Sequence, residues 1–314
     1  MTDSKPDVLV VNNFHPPTIS RIDKIYQTYH LWKLNTKAQN ELIAKLDGKC
    51  KAAVTGSWTF NERAYNLSSL SLISAFGVGI DGIDINLTKE NQIRVTNTPG
   101  VLNDDVADIA LTLILTTNRN IINADKYARS RLWEKSPMPY GSGLAGKTLG
   151  IVGFGRIGEA VAKRVLPLKL KIAYHNRTKK DSPHKYFASL IELAHNSDIL
   201  LCILPGGQET ERVINREVFK ALGPTGIFIN IGRGTSVDEN SLIEFLAHKK
   251  IAAAGLDVYA EEPLIPKALL ELDNTVLLPH IGSATIETRD AMGDLVLKNL
   301  EAFFSNNELL TEVK

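Results

Sequence analysis

An apolar strand that runs straight into closely spaced glycines and then into a helix fits few places other than the start of a βαβ unit. Leu149, Gly150, Ile151 and Val152 lead into Gly153, Phe154, Gly155, Arg156, Ile157 and Gly158, and Ala160, Val161 and Val165 follow at helical spacing. In such a unit the first glycine makes the tight turn and the second lets backbone approach a pyrophosphate. The third lets the helix pack on the strand, and N–H groups at the helix start face the phosphates. A bare GxGxxG also occurs in ordinary turns, so the strand before it and the helix after it carry the dinucleotide reading.

The end of the next strand decides which dinucleotide is expected. NAD-binding versions place an Asp or Glu about 20 residues past the motif, on the ribose 2′-OH. Here the stretch reads Tyr174, His175, Asn176, Arg177, Thr178, Lys179 and Lys180, with no carboxylate before Asp181. Arg177 offers a fork of donors to a 2′-phosphate, and Asn176 and Thr178 can hydrogen-bond it. NADPH is therefore expected over NADH, with NADH possible; the alternative is a solvated basic loop.

The rest of the chain repeats the strand and helix rhythm. Short β-branched runs at 8–11, 52–55, 72–74 and 93–96 alternate with helical stretches such as 39–46, which reads as an α/β layer. The turn Thr98, Pro99, Gly100 stops the last run, and Asn103, Asp104 and Asp105 offer N-caps for a long helix. A second series has strands expected at 148–152, 171–174, 199–203, 227–231, 253–256 and 275–278, and a final helical run at 284–304 returns to the first layer. The expected fold is α/β: a Rossmann-type, doubly wound parallel-sheet cofactor domain (99–283) inserted in a smaller flavodoxin-like substrate domain (1–98 and 284–314). The cleft between them is the default active site.

A chain of 314 residues fits two domains, and 44% hydrophobic with 23% charged residues fits packed globular ones. A net charge of +1 supplies neither a basic field for nucleic acid nor an acidic tail, which favours small-molecule chemistry. Cys50 and Cys202 are too few for a disulfide framework and lack metal-ligand spacing, so no metal and a reducing compartment are expected. The N-terminus lacks the apolar region of a secretory signal, and the most apolar stretch, 106–115, is too short for a bilayer. A cytoplasmic protein without a membrane segment is expected.

Three further segments follow strands of the second series: Ile229 to Gly234, Gly255 to Pro263, and Leu278 to Ser283. In open α/β sheets ligands bind at the carboxyl ends of the strands, so these segments converge there. Arg233, between two glycines, can clamp a carboxylate and its neighbouring carbonyl. His280 can donate a proton to a carbonyl oxygen as hydride reaches the carbon. Glu262 would fix the imidazole tautomer and favour imidazolium, so reduction slows at high pH. Each residue taken singly also has an ordinary structural reading.

With these residues in view, the chain resembles the D-isomer-specific 2-hydroxyacid dehydrogenase family over nearly its whole length, through IVGFGRIG, NIGRG, GLDVYAEEP and LPHIGSAT in order. The resemblance implies an Arg-Glu-His catalytic set in Arg233, Glu262 and His280. It also implies Asp257 and Gly282 near the nicotinamide, and Ile231 and Gly232 lining the cofactor. Phe76, Gly77, Val78, Gly79, Ile80 and Asp81 look like the loop whose N–H groups, at Val78 and Gly79, take the substrate carboxylate; the alternative is a plain glycine turn. Residues 96–108, together with the basic loop, are similar to the glyoxylate and hydroxypyruvate reductase branch.

The family is usually dimeric, so a homodimer is implied, with Trp133 either reaching a neighbour's cleft or buried in the interface. Pro205, Gly206, Gly207 and Gln208 depart from the Pro-x-Thr pattern that relatives show before Thr210, which leaves the cofactor contacts of Pro205 and Thr210 open. A reductase of small 2-oxo acids forming D-2-hydroxy acids is the expected function. The alternatives are an aromatic substrate such as hydroxyphenylpyruvate, decided in the region of Ser57, Trp58, Thr59 and Phe60, and a dinucleotide-sensing binding protein.

Overall fold

In the computed structural model, residues 5–56 and 60–313 are described. They form two compact units, one of residues 1–102 with 285–314 and one of residues 103–284.

The first unit carries a five-stranded parallel sheet made of β1 (Asp7–Val10), β2 (Gln27–His30), β3 (Ala52–Gly56), β4 (Leu72–Phe76) and β5 (Arg94–Thr96) in the order β2-β1-β3-β4-β5. Helices α1 (Pro16–Ile25), α2 (Thr36–Leu46) and α3 (Ile85–Glu90) connect them. Strands β1, β3 and β4 are buried on both faces, which is why they read as unbroken apolar runs rather than as alternation. Strand β2 was not expected from sequence: at the sheet edge, Gln27, Thr28, Tyr29 and His30 need bury only part of their surface.

The second unit begins with α4 (Asn103–Asn118) and α5 (Ile121–Arg129) and then builds seven parallel strands. These are β6 (Thr148–Val152), β7 (Lys171–His175), β8 (Lys185–Tyr186), β9 (Ile199–Cys202), β10 (Ile227–Asn230), β11 (Ala253–Leu256) and β12 (Thr275–Leu277). Their order is β12-β11-β10-β9-β6-β7-β8. Helices α6 (Arg156–Val165), α7 (Leu190–His195), α8 (Arg216–Leu222), α9 (Glu239–Ala247) and α10 (Lys267–Leu270) link them. Phe219, Phe228 and Phe245 pack at the centre of the core on one face of this sheet. Chain direction along the sheet reverses between β6 and β9, the switch point at which doubly wound sheets bind ligands.

Helix α11 (Ile286–Phe304), capped by the Thr285 side chain, belongs to the first unit and packs against β4 and α1. Both cysteines are free and buried, and burial pushes both thiols up, so they act as small apolar residues. Among the described residues no helix is long and apolar enough to cross a membrane, and no cluster of His, Cys, Asp and Glu could hold a metal.

Candidate active site

The glycine turn leaves β6 at the switch point. Gly153 has φ +92, and a Cβ there would lie 2.9 Å from the Ile203 carbonyl oxygen just past β9, so both conformation and space demand glycine. Gly155 faces open space, with no atom within 4 Å of where a Cβ would sit, and α6 starts at Arg156 directly behind it. A Cβ on Gly158 would lie 3.3 Å from both the Gly153 carbonyl oxygen and the Phe154 ring, so the helix start packs closely there. An open backbone surface in front of a helix N-terminus fits a dinucleotide pyrophosphate. Phe154 is buried against Tyr174, Ile157 is partly buried and Arg156 exposed.

The end of β7 departs from the sequence expectation in one respect. Asn176 accepts a hydrogen bond from the Phe154 N–H at 2.6 Å and donates one to the Phe154 carbonyl at 3.1 Å. Its amide is occupied in holding the turn. Arg177 and Thr178 are exposed. Arg177 pairs with Glu209, a partner that sequence reasoning missed because the two residues meet only through the order of β7 and β9. Thr210 donates to the carbonyls of Pro205 at 2.7 Å and Gly207 at 3.1 Å, so it closes its own loop.

On the other side of the switch point the three polar segments meet. Ile231 and Gly232 are buried, and the Gly232 N–H donates to the Asn230 side chain at 3.0 Å. A Cβ on Gly234 would stand 1.8 Å from the Tyr259 carbonyl carbon, so only glycine lets the Arg233 turn lie against the segment after β11. Arg233 donates to the Gly232 carbonyl at 2.9 Å, and its charge acts on Glu262.

Glu262 uses both carboxylate oxygens. One accepts from the Tyr259 N–H at 3.0 Å and the other meets His280 Nδ1 at 2.6 Å. Burial pushes the Glu262 carboxyl up, but the hydrogen bond and charge of His280, the Tyr259 N–H and the Arg233 charge outweigh it and hold the group below the usual carboxylate range.

Asp257 is almost fully buried and receives the N–H of Ile281 and of Gly282, each at 2.8 Å. Burial pushes its carboxyl up, against those two N–H groups and the His280 charge. His280 sits at φ +53, an uncommon conformation for a non-glycine residue, and the two bonds to Asp257 hold the backbone immediately after it. Arg233, Asp257, Glu262 and His280 thus form one electrostatic cluster within the second unit. In the first unit, Val78 and Gly79 follow β4, and the Val78 carbonyl accepts from the Asn97 side chain at 2.8 Å.

An arginine, a carboxylate and an imidazole beside a dinucleotide turn make an arrangement for carbonyl reduction. Residues 111–282 match the family described as D-isomer specific 2-hydroxyacid dehydrogenase, NAD binding domain. The chain belongs to the D-isomer-specific 2-hydroxyacid dehydrogenase family. Glyoxylate/hydroxypyruvate reductase A of Arabidopsis thaliana is 42% identical over 295 residues, covering 93% of this chain and 94% of the relative. Hydroxyphenylpyruvate reductase of Plectranthus scutellarioides is 45% identical over 296 residues, again covering 93% and 94%. Among solved structures, NADPH-dependent glyoxylate/hydroxypyruvate reductase of Sinorhizobium meliloti, in complex with NADP and malonate, superimposes with a TM-score of 0.91. That protein is 38% identical, over 99% of this chain and 97% of its own.

As a member of this family the chain is an NAD(P)-dependent dehydrogenase acting on 2-oxo and 2-hydroxy acids, and the alternative of a dinucleotide-sensing binding protein falls away. The family relation also accounts for the Rossmann order of the seven-stranded sheet.

Proposed function

We propose that this dehydrogenase reduces small 2-oxo acids, glyoxylate and hydroxypyruvate, to 2-hydroxy acids of D configuration where the product is chiral, and prefers NADPH to NADH. The observation that supports the reading is the 2.6 Å contact between His280 Nδ1 and Glu262, which fits an imidazole that donates a proton through its other ring nitrogen, Nε2. The cofactor, when bound, supplies the hydride to the carbonyl carbon. His280 delivers a proton to the carbonyl oxygen, and Glu262 keeps the ring in the required tautomer and balances its charge. Arg233 binds the substrate carboxylate and polarises the carbonyl. In the first unit, Val78 and Gly79 offer backbone N–H groups to a substrate carboxylate. Asp257 and Gly282 hold the backbone at the nicotinamide, with Ile231 and Gly232 lining the cofactor.

Preference for NADPH is supported by the exposed Arg177 at the end of β7, by Thr178 beside it and by the lack of a carboxylate before Asp181. The Sinorhizobium relative, described as NADPH-dependent, points the same way. Steady-state reduction of glyoxylate, hydroxypyruvate, pyruvate, phenylpyruvate and hydroxyphenylpyruvate with each reduced cofactor tests the proposal. Higher kcat/KM for the first two substrates with NADPH is expected, and equal or higher values with NADH refute the cofactor preference.

A second reading, reduction of hydroxyphenylpyruvate, is favoured by the Plectranthus relative. The residues expected to decide it, Ser57, Trp58 and Thr59, lie outside the described residues, while Phe60 is buried against Tyr65. A homodimer is supported by the apolar exposure of Ile121, Ile122, Leu132 and Trp133, the last 74% exposed in the single chain. Either role of Trp133, at a neighbour's cleft or in the interface, follows from that dimer. A cytoplasmic location is the companion proposal.

A further inference from the structure

The carboxyl edge of the five-stranded sheet holds a cation that the chemistry above does not use. Arg289 lies in the first turns of α11, with its guanidinium carbon 5.7 Å from the centroid of the Phe76 ring, the last residue of β4. Phe14 and His15, just past β1, pack on the same ring at 5.0 Å and 5.6 Å, the imidazole stacked at 21°. Asn12, in the same segment, accepts the Gly56 N–H at 2.6 Å, so the ends of β1, β3 and β4 form one edge. Strand order reverses at β1, whose neighbours are β2 and β3, and this edge is where an open α/β sheet admits a ligand.

Arg289 is half-buried, and burial alone pushes its guanidinium down from the usual range. Among the described residues no carboxylate pairs with it. Asp290, the next residue, acts on His15, and burial is the influence that shifts Arg289. Desolvating a guanidinium without an anionic partner is costly, and an aromatic face returns only a fraction of that cost. Such placements are kept where an anionic or strongly polar ligand completes the pair. Val78 and Gly79, in the loop proposed to take the substrate carboxylate, follow by two and three residues the Phe76 whose ring the cation covers. His15, whose own pKa is lowered first by burial, leaves Arg289 as the charge at neutral pH.

We propose that Arg289, seated on Phe76 beside His15, forms the subsite that reads the C3 substituent of the 2-oxo acid and favours a hydroxyl or carboxylate there. The proposal rests on the 2-oxo acid reading above, with the C1 carboxylate at Val78 and Gly79. The Phe14, His15 and Phe76 wall then faces the remainder of the substrate, and the guanidinium supplies its polar contact. Glyoxylate has no C3 and cannot use the subsite; hydroxypyruvate can.

The test is the ratio of kcat/KM for hydroxypyruvate to that for glyoxylate in Arg289→Gln and Arg289→Lys, with melting temperature and NADPH affinity measured alongside. A hydrogen bond to a charged group sets the scale, and the ratio is expected to fall about tenfold or more in Arg289→Gln and by less in Arg289→Lys. A ratio within about twofold of the parent overturns the proposal, whether both substrates are lost together or neither is. Should Arg289→Gln not fold, Arg289→Lys decides by the same ratio. A parent enzyme inactive on every 2-oxo acid would instead refute the underlying reading, an outcome visible before any variant is made.

Discussion

Replacing Glu262 by Gln keeps the size of the side chain and removes its charge. His280 Nδ1 lies 2.6 Å from one Glu262 oxygen, and the two side chains are 19% and 22% exposed, so water screens the pair only in part. A hydrogen bond to a charged partner in such a setting is worth about 1.5–3 kcal/mol. If that stabilisation supports imidazolium in the reacting complex, kcat/KM falls about 10- to 150-fold. A Gln has one acceptor oxygen for two donors, His280 Nδ1–H and the Tyr259 N–H now at 3.0 Å, so one donor is left unsatisfied at a cost of about 1–3 kcal/mol.

The pH dependence of stability separates the loss of this charge from a general loss of structure. In the parent, Glu262 is held below the usual carboxylate range. Its contribution to stability is present above that range and is lost only as pH falls through the depressed value, a dependence the variant lacks. Steady-state reduction of hydroxypyruvate at neutral pH, with melting temperature followed from neutral to acid pH, is the assay. A kcat/KM within about twofold of the parent at neutral pH refutes the role given to Glu262.

In Arg177→Gln, kcat/KM with NADPH is expected to fall about 10- to 100-fold, the scale of a charge-assisted contact to phosphate, with NADH changed much less. Titrated dissociation constants for NADP and NAD check this independently of turnover, and a parallel loss for both cofactors counts against the 2′-phosphate role. Gly234→Ala drives a methyl to within 1.8 Å of the Tyr259 backbone and should lower stability by about 1–3 kcal/mol or more, read as a fall in melting temperature. Asp257→Asn leaves one oxygen for the N–H groups of Ile281 and Gly282, so a loss of about 1–3 kcal/mol is expected together with a lower kcat, as His280 loses the anchor that follows it. Unchanged kcat in a folded Asp257→Asn protein would separate the anchor from the chemistry.

The elements that the sequence made legible are those whose pattern is written locally. Buried parallel strands read as apolar runs at β3, β4, β6, β9 and β10, and the Gly153 turn announced the helix behind it. Two of the edge strands carry no such mark: β2 is half polar and β8 is two residues long, and each is a strand because an inner neighbour offers it a ladder. The candidate site divides in the same way. Arg233, Glu262 and His280 each follow a strand and could be picked out by residue type, whereas Asn176 bonding to Phe154 and Glu209 pairing with Arg177 depend on the strand order β9-β6-β7.

By itself, then, the sequence determined an α/β chain with a dinucleotide turn and a set of residues competent for carbonyl reduction, because hydrophobic period and glycine spacing are local properties. The tertiary structure alone decided which oxygen of Glu262 faces His280, that Asp257 anchors the backbone after it, and that Arg289 is desolvated over Phe76. Those facts arise from strand order and helix packing, which bring together residues remote in the chain and fix their distance, charge and access to water.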